Sequence, residues 1–395
     1  MSEKSILKPK AIDNISYWMY MEQKSKVYYS LGNKEVDRYI KVPEKKLKPI
    51  METIELFDGN NEIHYIQTYL KENKKINIDV YNLYKLLSKV GLIEGEEGDK
   101  VNGEMAIIGV ELLSISFPKV NNAVKKSAEG FLFLWKLVFI FSIIMLISGI
   151  IFRNYRVSYI IEHAFIVKNS HILGLVWTML FCFIASLLHE LMHWCFAIKN
   201  GLRPDKFKMV LYSGIIPTMY VKINGLYTLE KKKRITVMMA GILMNLLISF
   251  LGIILVFWFN LKNNINDIIL KLVLSNLYMV VTNIMPFTIT DGYYIFCWTF
   301  GIVNIRINIL KALKGIQNGE KIKMNRVMAI YGTVSIMLLF TAMYSSFWWF
   351  YNIINEVFNI FNIPVPEYIP LIICLSIIGV TLTNIILKFR RFFNS

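Results

Sequence analysis

The residues best placed to do chemistry are His189-Glu190-Leu191-Met192-His193, two histidines four positions apart with a glutamate directly after the first. On a helix, side chains at i and i+4 sit one turn apart on one face. Both imidazoles can therefore reach one metal ion while Glu190 touches a water bound to it. A catalytic zinc takes three protein ligands and leaves one position open, so the pattern demands a third ligand from elsewhere in the chain. Such a site hydrolyses: the metal lowers the pKa of its water toward ~7 and polarises a carbonyl. Glu190 is the general base that takes the water's proton and hands it to the leaving group.

The elements that carry these residues are apolar. Of 395 residues 55% are hydrophobic, and the mean hydropathy is +0.46, values that suit a multi-span membrane protein. Six runs are long enough to cross a hydrocarbon layer, which takes about 20 helical residues: Phe131–Phe152, Ile172–Ile198, Ile235–Phe259, Ile268–Phe287, Val327–Ile353 and Tyr368–Lys388. The first residues are polar and basic (Lys4, Lys8, Lys10) with no secretory signal pattern, so the N-terminal region is expected to be cytosolic. An even number of spans puts the C-terminus on the same side.

The net charge of +16 is concentrated in particular loops. Lys199, Arg203, Lys206, Lys208, Lys222 and Lys231 to Arg234 follow the second run, and Arg306, Lys311, Lys314, Lys321, Lys323 and Arg326 follow the fourth. The positive-inside rule makes both loops cytoplasmic; Arg153, Arg156 and Lys168 after the first run are a mild exception. The basic excess is thus a topology signal, and no nucleic-acid partner is expected. The second and fourth runs then cross in the same direction. Asp291, just past the end of the fourth, falls at the depth of His189 and His193 and is the expected third ligand. Two imidazoles and a carboxylate suit zinc best.

The competing reading makes the two histidines polar spacers between helices. Ionisable groups in a bilayer are costly enough to argue for function instead. His64, His163 and His171 are expected in exposed or capping positions, and Lys136 and Lys271, near the ends of their runs, are expected to reach the interface along their stems. Cys182, Cys195, Cys297 and Cys374 form no CxxC pair and read as small buried hydrophobes.

The order of motifs resembles the site-2 protease family of intramembrane zinc metalloproteases. In that family an HExxH helix is followed by an Ala-Gly-Pro-x-x-Asn helix and then by an Asn-x-x-Pro segment ending in Leu-Asp-Gly. This chain reads Ala240-Gly241-Ile242-Leu243-Met244-Asn245 and then Asn283, Pro286, Asp291 and Gly292 in register, departing at Ile242, Thr288 and Thr290. The resemblance covers roughly residues 172–300 and implies that Asp291 is a zinc ligand. It also points to Asn245 and Asn283 as substrate-positioning residues, interhelical hydrogen bonding being the plainer reading of Asn245. The stretch Phe207–Ile223, β-rich and broken by Gly214 and Pro217, would be a membrane-dipping strand that pairs with extended substrate, or else an amphipathic connector.

Residues 1–128 have the composition of one small domain. The pattern is strand-like over Ser25–Ser30 and Glu35–Val42 and helical over Glu44–Leu56, Glu62–Glu72 and Val80–Val90, with Gly91 as a stop. By element order this looks like a winged-helix-like α+β domain, similar to the peptide-binding domains of ribosomal-peptide maturation systems, which implies a leader peptide as partner. A regulatory or scaffolding domain is the alternative.

The expected architecture is therefore a polytopic α-helical protein of about six transmembrane helices, residues 129–395, behind that cytosolic domain. It would sit in a bacterial plasma membrane with both termini cytoplasmic and cut a membrane-associated peptide or protein, a ribosomally made peptide among the candidates. The alternatives are cleavage of a membrane-tethered regulator and a non-proteolytic metal transporter or peptide-export component using the same histidines.

Overall fold

The computed structural model describes residues 7–23, 26–96, 98, 109–152, 167, 168, 170–212, 216–259, 263–285, 290–302 and 326–361, with 305, 308, 309, 312, 314, 315, 366, 368–376, 379 and 383. The chain divides into two compact units. One holds Met1–Phe133, Glu190–Ala240 and Cys297–Val303, and the other Leu134–His189, Gly241–Phe296 and Asn304–Ser395.

The first unit opens with an antiparallel sheet of β1 (Ser16–Gln23), β2 (Lys26–Asn33) and β3 (Arg38–Pro43), in that order. The Asn33 side chain closes the β2–β3 turn, its Oδ1 accepting from the N–H groups of Glu35 (2.7 Å) and Val36 (3.1 Å). Three helices come next: α1 (Glu44–Glu55), α2 (Ile63–Asn73) and α3 (Val80–Val90). Asp79 caps α3 by accepting from Asn82 N, and Gly91 ends it at φ 73°. Helical spacing puts Ile50 and Ile54, then Ile63, Ile66 and Leu70, then Val80, Leu83 and Leu87 on inward faces, where they bury against Leu31, Ile40 and Val42 of the sheet. Each such side chain contributes about 1.5–3 kcal/mol. The three helices lie within two residues of the expected spans. Strand β1 had no counterpart in the sequence reading.

A second antiparallel sheet in the same unit has the order β4 (Gly109–Ser116), β5 (Arg203–Tyr212), β6 (Ile216–Asn224). The β-rich stretch 207–223 is therefore a hairpin, with β6 at an edge; its Gly214 lies outside the described residues. Side chains tie the N-terminal sheet to the chain just beyond β6. Asp37 Oδ1 accepts from Gly225 N at 2.8 Å, and burial raises the Asp37 carboxyl above its ordinary pKa against the lowering effect of that N–H. Arg234 is fully buried. It donates from Nη2 to Tyr20 O, with its guanidinium carbon 4.6 Å from the Tyr20 ring centroid and 5.2 Å from that of Trp298.

Helices dominate the second unit: most of α4 (Asn122–Phe152), the first part of α5 (His171–Lys199), most of α6 (Lys231–Trp258), α7 (Asn263–Ile284), the start of α8 (Asp291–Phe300) and α9 (Arg326–Ile360). Among the described residues, four helical segments are long and apolar enough to cross a membrane: Asn122–Ile151, His171–Lys199, Lys231–Trp258 and Ile265–Ile284. They match the first four expected runs, except that the fourth segment ends at Ile284 where the run was expected to reach Phe287, residues 286 and 287 lying outside the described residues. Helix α9 spans the fifth, and the sixth is described only in part. Ile140, Phe141, Ile144 and Ile147 of α4 are exposed, an apolar band of the kind that hydrocarbon solvates and water does not.

The N-terminal end of α5 is fixed from α9: the Glu356 carboxylate accepts from Ser170 Oγ (2.5 Å) and His171 N (2.6 Å), an anion at a helix N-terminus. Helix α7 packs closely on α6, where a Cβ at Gly252 would come 2.5 Å from Val273 Cγ2. Lys271 departs from expectation. It is fully buried rather than reaching an interface, with Asp267 one turn earlier on α7.

Candidate metal centre

Helix α5 runs unbroken through the motif, so the i, i+4 argument applies directly. Donor atoms of His189, Glu190 and His193 all lie within 4.8 Å of one another. Both imidazoles are 4% exposed, deep enough that each ring nitrogen needs a partner. His193 Nδ1 lies 2.7 Å from Val237 O on α6. A carbonyl oxygen can only accept, so Nδ1 carries the proton and the lone pair is on Nε2, the tautomer of a histidine that ligates a metal through Nε2.

His189 Nε2 lies 2.8 Å from Asp291 Oδ2, across 102 positions of sequence, with side-chain exposures of 5% and 17%. Asp291 is the first residue of α8. The helix starts there because Gly292 allows its first turn to lie on the end of α7: a Cβ at 292 would come 2.2 Å from Asn283 O. On its other side the His189 ring rests on α6 at Gly241, where a Cβ would sit 2.3 Å from Nε2. Asn245, one turn further along α6 and fully buried, has Nδ2 3.2 Å from His189 Nδ1. Asn283 donates from Nδ2 to Met279 O, one turn back on α7, at 2.9 Å.

Glu190 Oε2 accepts from Val221 N at 2.7 Å. Val221 is on β6, opposite Phe207 of β5, and its N–H points away from β5 toward the open edge. Strand alternation makes the N–H and C=O of Met219 point the same way. The edge of the hairpin thus runs past the carboxylate that follows the first histidine.

The donor set fits zinc: His193 Nδ1 faces a carbonyl, which leaves Nε2 to ligate, His189 Nε2 already faces a carboxylate oxygen, and two imidazoles with one carboxylate would leave an open position in a tetrahedral site. Cys195 is buried and outside this cluster. His64 is exposed on α2, His171 is engaged through its N–H with Glu356, and His163 lies outside the described residues.

Three parts of the site were not read from the sequence. Val237 acts through its backbone and carries no side-chain signal. Val221 likewise offers only an N–H, and finding it needed the strand parity of β6. Gly241 was visible as part of Ala240-Gly241-x-x-x-Asn245, and the i, i+4 spacing of Gly241 and Asn245 was the available sign that both face one neighbour.

No curated protein and no solved structure matches the chain. The family model described as Peptidase family M50 matches residues 177–367.

Proposed function

We propose, from the match of residues 177–367 to peptidase family M50, the site-2 protease family of intramembrane metalloproteases, that this chain uses zinc to hydrolyse a peptide bond in a membrane-associated peptide or protein. The metal would be held by His189, His193 and Asp291. The observation that supports this reading is the 2.8 Å contact of Asp291 with His189, which brings a carboxylate to a helical motif that alone lacks a third donor. Zinc bound there would polarise the scissile carbonyl and acidify its water.

The chain's own groups do the rest. Glu190 accepts the water's proton and delivers it to the leaving nitrogen. An extended peptide adds to the open edge of β6, its backbone pairing with the N–H and C=O of Met219, which brings the scissile bond alongside Glu190. Packing of α5 against α6 and α7 keeps bulk water from the donor groups, which strengthens every charge interaction among them. The position of Glu190 beside the donors favours hydrolysis over metal transport, since a transporter has no need of a base there.

The test is Glu190→Gln in detergent-purified protein. The variant should keep its zinc and lose cleavage by at least ~10²-fold; cleavage at the normal rate would refute the assignment.

The wider setting belongs to the same proposal: six spans in a bacterial plasma membrane, both termini cytoplasmic, and an N-terminal domain (residues 1–128) that holds the leader segment of a ribosomally made substrate. The edge strands β1 and β3 and the link from Asp37 to the residue after β6 support a peptide-handling domain coupled to the hairpin. Competition binding with a leader peptide and with a leaderless core peptide checks this. Equal competition by the core alone would count against it.

A further inference from the structure

We propose that Asn245 is a positioning residue that selects the tautomer of His189, its amide oxygen accepting from His189 Nδ1–H when metal is bound. The inference rests on the reading of His189 as a ligand and goes beyond it in assigning how that ligand is oriented.

Asn245 is fully buried on α6. Its Nδ2 is 3.2 Å from His189 Nδ1, while its Oδ1 is buried with no hydrogen-bond partner among the described residues. In this arrangement His189 Nδ1 accepts, so the ring proton is on Nε2 and is donated to Asp291 Oδ2 at 2.8 Å. Ligation through Nε2 requires the opposite tautomer, with the proton on Nδ1. The amide NH2 would then meet an N–H, two donors face to face. Turning the amide by half a revolution exchanges two groups of nearly equal size. Oδ1 then stands where Nδ2 stood, and the partnerless carbonyl gains a donor.

The same device already operates at His193, whose Nδ1–H is taken by Val237 O. Helix α6 thus presents an acceptor to the Nδ1 of each histidine, from the backbone at 237 and from a side chain at 245. A histidine whose second nitrogen is held in this way loses its orienting partner, and typically 10–100-fold in metal affinity, when that partner is removed.

The experiment measures zinc affinity by chelator competition on the detergent-purified full chain, for wild type, Asn245→Asp, Asn245→Ala and Asn245→Leu, with the melting temperature of the metal-free forms recorded alongside. Aspartate keeps the acceptor and removes the donor. It should bind zinc within threefold of wild type or more tightly, whereas alanine and leucine should bind 10–100-fold more weakly. Leucine binding at wild-type affinity would overturn the inference. So would aspartate as weak as alanine, because the amide N–H and not its oxygen would then matter. If leucine melts well below the others, the aspartate–alanine pair decides alone. A wild type that binds no zinc would defeat the ligand reading itself, a result distinct from either of the others.

Discussion

If His189, His193 and Asp291 hold zinc as proposed, replacing Gly241 by alanine should empty that site while leaving the helix that carries it intact. A Cβ at 241 would lie 2.3 Å from His189 Nε2 and 2.5 Å from Cδ2 and Cε1, against 3.4 Å for ordinary contact, so the ring would have to retreat by about 1.1 Å. It cannot swing freely, being held at Nε2 by Asp291 and at Nδ1 by Asn245. Metal–ligand distances tolerate about 0.2 Å, so a retreat of that size removes one donor of three. Zinc affinity should fall by at least ~100-fold, since even losing a partner that only orients a ligand costs 10–100-fold. The fold itself changes less: alanine gains about 1 kcal/mol of helix propensity over glycine, against roughly 1–3 kcal/mol for overpacking. Zinc per chain and chelator competition supply the readout. Gly252→Ala is the control, because its Cβ would meet Val273 Cγ2 at 2.5 Å on the same helix, roughly 16 Å along the axis. That variant should lose stability and keep zinc. Wild-type zinc affinity in Gly241→Ala, or equal loss in both variants, would refute the argument.

Two further predictions concern the hairpin and the domain that leans on it. Met219→Pro removes an N–H that faces the open edge of β6 and no ladder bond, and edge strands tolerate proline with that side outward. Zinc content should be unchanged and cleavage should fall about tenfold or more, in line with one lost hydrogen bond of ~1.5 kcal/mol; full activity would mean that substrate does not add there. Asp37→Asn keeps an oxygen for Gly225 N–H and removes the carboxylate. Because burial raises the Asp37 pKa in the fold, its contribution to stability is complete below the ordinary carboxylate value, near 4, and is lost as pH rises through the raised value. The variant should therefore match wild type at pH 4 and be the more stable at pH 7, read as resistance of the N-terminal region to proteolysis. The reverse order at pH 7 would show that charged Asp37 stabilises the contact.

Much of the site was legible because it is local or periodic. His189 and His193 need only the helical turn, and the nearness of Asp291 to them, seen at His189, was the expectation from the order and direction of two apolar runs. In the N-terminal region the helices were readable from their spacing: Ile63, Ile66 and Leu70, or Val80, Leu83 and Leu87, leave few ways to bury. Strand β1 was not, because Tyr17 and Met19 are exposed and Tyr20 and Met21 are consecutive buried residues at a register shift between Met19 and Met21, which breaks the alternation that marks a strand. Strand β4 failed for a related reason. Val110, Leu112, Leu113 and Ile115 are all exposed, so its residues follow no inward and outward pattern, and only pairing with β5, almost a hundred residues on, defines it as a strand.

Arg234 shows why the remainder resisted. In the sequence it is the last of four consecutive basic residues after the second span, and the run Lys231 to Arg234 reads as one solvated patch that sets orientation. Three of the four do stay exposed. Arg234, on the face of α6 one turn from its start, is instead fully buried between Tyr20 and Trp298. A guanidinium tolerates this where an ammonium would not, since it is weakly hydrated, stacks on aromatic faces and keeps donors in a fixed plane for the Tyr20 carbonyl. The substitution of arginine for lysine at the fourth position was the one sign available, and it acquires meaning only when a tyrosine more than two hundred residues earlier is folded against it. One turn of charge thus has two separate fates. The lysines stay on the surface, and the arginine bolts the N-terminal sheet to the first turns of α6.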